Sequence, residues 1–154
     1  MKRREIFKTL GLASIGVLSA GMILKDKNAI AQDVKKNPLI LNRDRMSFID
    51  PENPSKFELK HTPDITFNGT DSKGFTKVVI TIGQQGIIHP TTPEHWIDFM
   101  KIYKNNQLVV ENLFQNGPIR GYGEFFIDLK TSDTIKVEIG CNLHGIWESS
   151  VVFT

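Results

Sequence analysis

Four histidines, His61, His89, His95 and His144, and a single cysteine, Cys141, are the residues of this 154-residue chain that could bind a metal. Taken one at a time they demand nothing: a histidine is usually a satisfied polar residue, and a free cysteine packs as a small hydrophobe. Their spacing changes the weighing. His89 and His95 bracket a Pro-Thr-Thr-Pro segment, so the chain can turn back and present both imidazoles from one loop. Cys141 and His144 stand three apart in Cys-Asn-Leu-His-Gly, directly after a β-like run, in the loop spacing of many metal sites. His61 follows residues 57–60, which read as a strand end, and precedes Thr62-Pro63. All five groups therefore fall at strand ends or in loops, where a rigid scaffold can gather them.

Ligand type and number narrow the choice of metal. Five donors are one more than a closed tetrahedral zinc site uses, and imidazole suits zinc, copper, iron and nickel alike. A Cys-x-x-His near the end of a β-sandwich also suggests blue copper, which wants two histidines, a cysteine and a weak axial methionine. The methionines are Met1, Met22, Met46 and Met100, so none follows His144, and copper would leave two histidines unused. On the residues alone, a copper electron-transfer protein stays as the alternative.

Three segments carry a closer likeness: Lys60-His61-Thr62-Pro63, then His89-Pro90-Thr91-Thr92-Pro93-Glu94-His95-Trp96-Ile97, then Cys141-Asn142-Leu143-His144-Gly145-Ile146-Trp147. In order and content they resemble the iron-binding motifs of the superoxide reductase family, the neelaredoxins and desulfoferrodoxins. The resemblance spans residues 57–154 and uses every histidine and cysteine. It implies one mononuclear non-haem iron per chain, with His61, His89, His95 and His144 as equatorial ligands, Cys141 as axial thiolate, and a sixth position open. The implied reaction is one-electron reduction of superoxide to hydrogen peroxide. An external donor, such as a rubredoxin-like or other small redox protein, then restores Fe(II). A thiolate opposite the open position donates electron density to the iron.

The same likeness gives Lys60 a catalytic role, as a fixed positive charge that steers a small anion and stabilises developing charge. One position departs from the family. A glutamate usually precedes that lysine, and here the residue is Leu59. Glu58 lies one place earlier and, on a strand, would point to the opposite face. No sixth-site carboxylate is therefore carried over. Asn142, Leu143 and Gly145 are expected to aim backbone N–H groups at the sulfur and so tune the metal. Trp96 and Trp147 either shield the site or simply pack the core, and Glu94 is a solvated loop residue. Residues 32–56 contain no cysteine, so the second, four-cysteine iron centre of the desulfoferrodoxin branch is not expected.

The elements that must position these groups are short. Runs at 64–67, 76–83, 95–103, 108–114, 122–129, 134–140 and 146–153 are rich in β-branched and aromatic residues, and turn signals such as Asn68-Gly69 part them. Seven strands without a long 3.6-period segment predict an all-β fold, an immunoglobulin-like antiparallel β-sandwich. Residues 32–56 read as an extended, proline-punctuated lead-in with at most a short strand. Such a fold does not fix a function by itself.

Charge divides the chain at Ala31. Residues 1–31 hold six basic and two acidic side chains, whereas the remaining 123 hold 13 and 15, so the overall +2 conceals a net −2. The basic surplus thus lies in a detachable tail, which argues against nucleic acid as partner. That tail has a basic start and a 15-residue apolar stretch, Leu10 to Leu24, short of the roughly 20 residues of a spanning helix. Ala29-Ile30-Ala31 follows as a small-x-small cleavage pattern. Arg3-Arg4-Glu5-Ile6-Phe7-Lys8 is similar to a twin-arginine export signal. The expectation is a periplasmic protein handled by the twin-arginine machinery, with an ordinary secretory signal or a retained anchor as alternatives. One cysteine excludes an intramolecular disulfide framework and a four-cysteine metal ribbon. A homo-oligomer is compatible with the sequence.

Overall fold

The computed structural model describes residues 37–154; the expected export signal lies outside them. The order of elements is a helix α1 (Lys56–His61) and strands β1 (Pro63–Thr70), β2 (Thr76–Ile82), β3 (Ile97–Lys104), β4 (Gln107–Leu113), β5 (Tyr122–Ile127), β6 (Thr134–Cys141) and β7 (Gly145–Val152). They form two antiparallel sheets, β1-β2-β5 and β4-β3-β6-β7. That strand order is the Greek-key arrangement of an immunoglobulin-like sandwich, as expected.

Period-2 patterning makes the sheets. In β2 every second residue is buried, Thr76, Val78, Ile80 and Ile82, and branching at Cβ stiffens all four further. Opposite them, Met100, Ile102, Ile135, Val137 and Ile139 are also fully buried. Each such side chain contributes about 1.5–3 kcal/mol on leaving water, which gives the loops at the ends a rigid base. The central strands β3 and β6 pair with Ile97 opposite Cys141. The loop carrying His89 and His95 and the turn carrying His144 therefore leave the same end of the larger sheet.

Two local expectations are corrected. Residues 57–60 are helical rather than a strand end. Ser55 is the N-cap: its hydroxyl accepts from the Glu58 amide at 3.3 Å, and the Glu58 carboxylate accepts from the Ser55 amide at 2.7 Å. This is a capping box, and it holds a six-residue helix that propensity alone would not. Thr62 leaves the helix at ψ 129°, as the residue before Pro63 must. Glu58 is consequently not a strand residue facing away. It is buried as a cap, with its other oxygen accepting from the Ile49 amide at 2.6 Å. Asn68-Gly69, read as a hairpin turn, lies inside β1; the register with β2 shifts between Phe67 and Thr70, and Gly69 sits there at φ +71°. The turn itself is Asp71–Gly74, where Asp71 Oδ1 accepts from the Lys73 and Phe75 amides at 2.8 and 2.9 Å.

The lead-in earns more structure than its composition suggests. Residues 41–46 lie along the β6–β7 turn: the Leu41 amide donates to Asn142 O at 2.7 Å, Ile146 to Asp44 O at 2.8 Å and Met46 to Ile146 O at 2.8 Å. Arg45 pairs with Ile146 as an isolated parallel bridge. Gly145 makes this approach possible. Its φ is +84°, and a Cβ there would stand 2.5 Å from Asp44 O.

Ser55→Ala removes the cap of the helix that ends in His61, and a stability loss of about 1 kcal/mol is expected. Urea unfolding of the two proteins checks it. Equal midpoints would mean that the capping box does not hold α1.

Candidate metal centre

His61 is the last residue of α1, one turn after Phe57, and it is completely buried. Its Nδ1–H donates back to Phe57 O at 2.6 Å, so Nε2 is left as a bare acceptor. His89 follows β2 in a loop that folds back at Gly83, where φ is +109° and any Cβ would overlap Ile87 O. The His89 amide donates to Ile82 O at 3.0 Å, and its Nδ1–H donates to Pro90 O at 2.6 Å, again leaving Nε2 free. The same loop places His95 through a reciprocal pair of backbone bonds with Thr92, whose hydroxyl also accepts from the His95 amide at 3.0 Å. Cys141 closes β6, and His144 stands in the tight turn to β7.

These five groups meet. One ligand atom each from His61, His89, His95 and Cys141 lies within 4.8 Å of all the others. His144 joins through Nδ1, 2.9 Å from His61 Nε2 and 3.5 Å from Cys141 Sγ. Around the cluster, successive ring centroids are 5.0 Å (His61–His89), 4.6 Å (His89–His95), 4.8 Å (His95–His144) and 4.7 Å (His144–His61) apart. Each ring stands at 70–79° to the next, so the four imidazoles form a pinwheel with the thiol beside it. Nε2 of both His89 and His95 is buried without a hydrogen-bond partner among the described residues. Leaving buried acceptors bare is costly, and a cation among them removes the penalty. Three Nε2 atoms, one Nδ1 and a sulfur thus fit a transition-metal ion.

The electrostatics agree with neutral, ligand-ready imidazoles. Burial first, then the neighbouring histidines and Lys60, hold His61 at about 4, His89 at about 3 and His95 at about 4, against an ordinary 6.5; His144 is also lowered. Burial pushes the Cys141 thiol up, opposed by hydrogen bonds from the backbone N–H groups of Leu143 and His144. Of the three backbone donors expected at the sulfur, only Leu143 is among these, and His144 is the second. The Asn142 amide instead donates to Trp96 O at 3.1 Å. Lys60 lies at the rim: its charge acts on all four imidazoles and on the thiol. Its Nζ sits 5.6 Å from the Phe57 ring, which itself packs on His61 and His144.

The supporting residues are only partly legible in the sequence. Trp147 stacks on His61 with centroids 5.3 Å apart, and its indole N–H donates to His144 O at 3.0 Å, so it braces two of the rings. Trp96 is buried in the protein interior. Glu94 is exposed, as expected. The residue missed in the sequence is the Asn142 side chain, which is wholly buried. Its Oδ1 accepts from the Trp96 amide at 2.9 Å, while Nδ2 donates to Glu94 O at 2.8 Å and Leu39 O at 3.1 Å. Asn142 thereby ties the His95 loop, the Cys141 turn and the lead-in together.

A β-sandwich whose end loops gather four imidazoles and a thiol around buried bare nitrogens is a scaffold that can hold a metal ion. Residues 53–150, which contain all five donors and Lys60, match the desulfoferrodoxin family model, and the chain belongs to that family. It is similar to a superoxide reductase of Pyrococcus abyssi (strain GE5 / Orsay), 30% identical over 101 residues, covering 60% of this chain and 85% of the relative. A solved protein of Pyrococcus horikoshii OT3 is 30% identical with a TM-score of 0.51, over 65% of this chain and 93% of the other. The superoxide reductase from Nanoarchaeum equitans shares the fold at 20% identity, with a TM-score of 0.52 over 61% of this chain and 93% of its own.

The depressed histidines set an acid limit on the metal-free protein. Between pH 6.5 and about 4 the unfolded chain binds protons that the folded imidazoles refuse, so stability falls as the pH is lowered through this window. Thermal melts of metal-free protein from pH 7.5 to 4 are expected to show a progressive drop in Tm beginning near 6.5. A flat profile would contradict the burial of neutral imidazoles.

Proposed function

We propose that the chain is a superoxide reductase that holds one iron through Nε2 of His61, His89 and His95, Nδ1 of His144 and the thiolate of Cys141. The observation that carries this reading is the convergence of every histidine and the only cysteine on one buried cluster, with Lys60 as the cation at its rim. Bound iron supplies the Fe(II)/Fe(III) couple that delivers one electron to superoxide; with two protons the product is hydrogen peroxide, and an external donor protein returns the electron.

The chain's own residues do the rest. Phe57 O and Pro90 O hold the tautomers of His61 and His89, so that each offers a bare nitrogen without rearrangement. The N–H groups of Leu143 and His144 stabilise negative charge on the sulfur and favour the thiolate that ligation requires. Lys60 raises the local concentration of a small anion at the rim. Leu59 is buried, and the Glu58 carboxylate caps α1, so this segment presents no carboxylate in place of the family's glutamate. The Arg3-Arg4 motif supports export to the periplasm through the twin-arginine route, with residues 1–31 as the signal and 57–154 as the iron-binding domain.

Anaerobically reconstituted protein is expected to hold one iron per chain and to convert superoxide to stoichiometric peroxide without releasing oxygen. One copper would point instead to electron transfer on a similar sandwich, and no bound metal would sink both readings. Cys141→Ser should lose the thiolate-to-iron absorption band while circular dichroism stays that of a β-sandwich. Lys60→Ala should slow the second-order reaction with superoxide by roughly tenfold and flatten its dependence on salt, since that is the lower range of electrostatic steering. An unchanged rate removes Lys60 from the mechanism.

A further inference from the structure

β3 carries an irregularity beside the thiol. Ile97 pairs with Cys141 and Phe99 with Gly140, so Asp98 is an extra residue, a β-bulge facing the end of β6. Bulges re-aim side chains, and they are enriched near active sites. This one turns the Asp98 carboxylate over Gly140, the residue next to Cys141: a Cβ on Gly140 would lie 2.8 Å from Asp98 Oδ1 and would overlap the Phe99 ring. Oδ1 is buried and has no hydrogen-bond partner among the described residues. Oδ2 is ion-paired with Arg43, which comes from the lead-in and also lies over Phe99, 5.6 Å from the ring centroid. Arg43 lies outside the region 53–150 that matches the family.

A part-buried carboxylate whose one oxygen is buried and bare among the described residues is costly. Its position gives it another use. We propose that Asp98 is a positioning residue for the electronics of the metal centre: its charge, partly offset by Arg43, lowers the reduction potential from the thiolate side. Negative charge near a metal favours the more positive, oxidised ion, and the reach of such a charge is long where water is excluded. The geometry places that charge at the sulfur end of the cluster: the Asp98 carboxylate lies over Gly140, and Gly140 directly precedes Cys141, the register partner of Ile97. A thiolate so placed is pressed to share its electron density with the metal. Arg43 makes the lead-in the other half of the device.

The inference rests on Cys141 as metal ligand, and its test uses no superoxide, so it can fail while the proposed activity stands. Mediated potentiometric titration of the iron-loaded protein, followed through the thiolate-to-iron band, compares wild type with Asp98→Asn and Arg43→Gln. Asp98→Asn should shift the midpoint potential upward, and Arg43→Gln should shift it downward. Mere loosening of the site would move both variants the same way. If Asp98→Asn does not load iron, the downward shift of Arg43→Gln decides alone. Shifts of the same sign, or none in either protein, overturn the assignment.

Discussion

Bare lone pairs sealed away from water are the constraint on which this structure turns. Two of the imidazoles present buried Nε2 atoms with no partner among the described residues, a third already donates its only proton to Phe57 O, and a thiol stands 3.5 Å from the fourth ring. In the metal-free protein the 2.9 Å contact between His61 Nε2 and His144 Nδ1 is a hydrogen bond that relieves only part of that deficit. Each group separately would prefer water. They stay together because the elements that carry them are anchored elsewhere, in an apolar interior that does not depend on the site. The pairing of β3 with β6 fixes Cys141 and the end of the His95 loop, and the capped helix α1 fixes His61. A bound cation would supply what these donors lack.

The sandwich was legible because its signal is local and repeated. In β2 the buried face is spelled out by Thr76, Val78, Ile80 and Ile82, and no tertiary information is needed to see it. The candidate metal ligands were legible for a different reason: few residue types bind metals, and every histidine and cysteine fell in a short motif near a strand end. Helix α1 was missed because six residues are too few to show a 3.6 period. Its start was nevertheless written as Ser55 followed three residues later by Glu58. Asn68-Gly69 misled because a dipeptide that favours positive φ serves a bulge as well as a turn.

What stayed hidden depends on contacts between distant parts of the chain. Asn142 reaches back 103 residues to Leu39 and 48 to Glu94, and nothing in its neighbourhood announces that its amide will be buried and fully used. Arg43 and Asp98 are 55 residues apart. A proline-punctuated lead-in gives no sign that it will lie along the turn bearing a ligand, and Gly145 shows its purpose only once Asp44 O is seen against it. The identities of the donors can be read along the chain; the scaffolding that orients them cannot.

Charge completes the argument. Beyond Ala31 the chain is net acidic, so its overall field does not attract an anion. The local distribution is another matter. Lys60 acts on every member of the cluster, and the Asp98 carboxylate lies over Gly140, next to Cys141. As proposed, a positive group at the rim and a negative one beside Cys141 would divide two tasks that one net charge would set against each other. Attraction of an anion needs positive potential where it arrives, and donation of an electron needs negative potential where the metal is held. On the proposed reading, two charges of opposite sign would serve both demands within one site, and the sandwich beneath would be free to carry whatever surface charge its solubility requires.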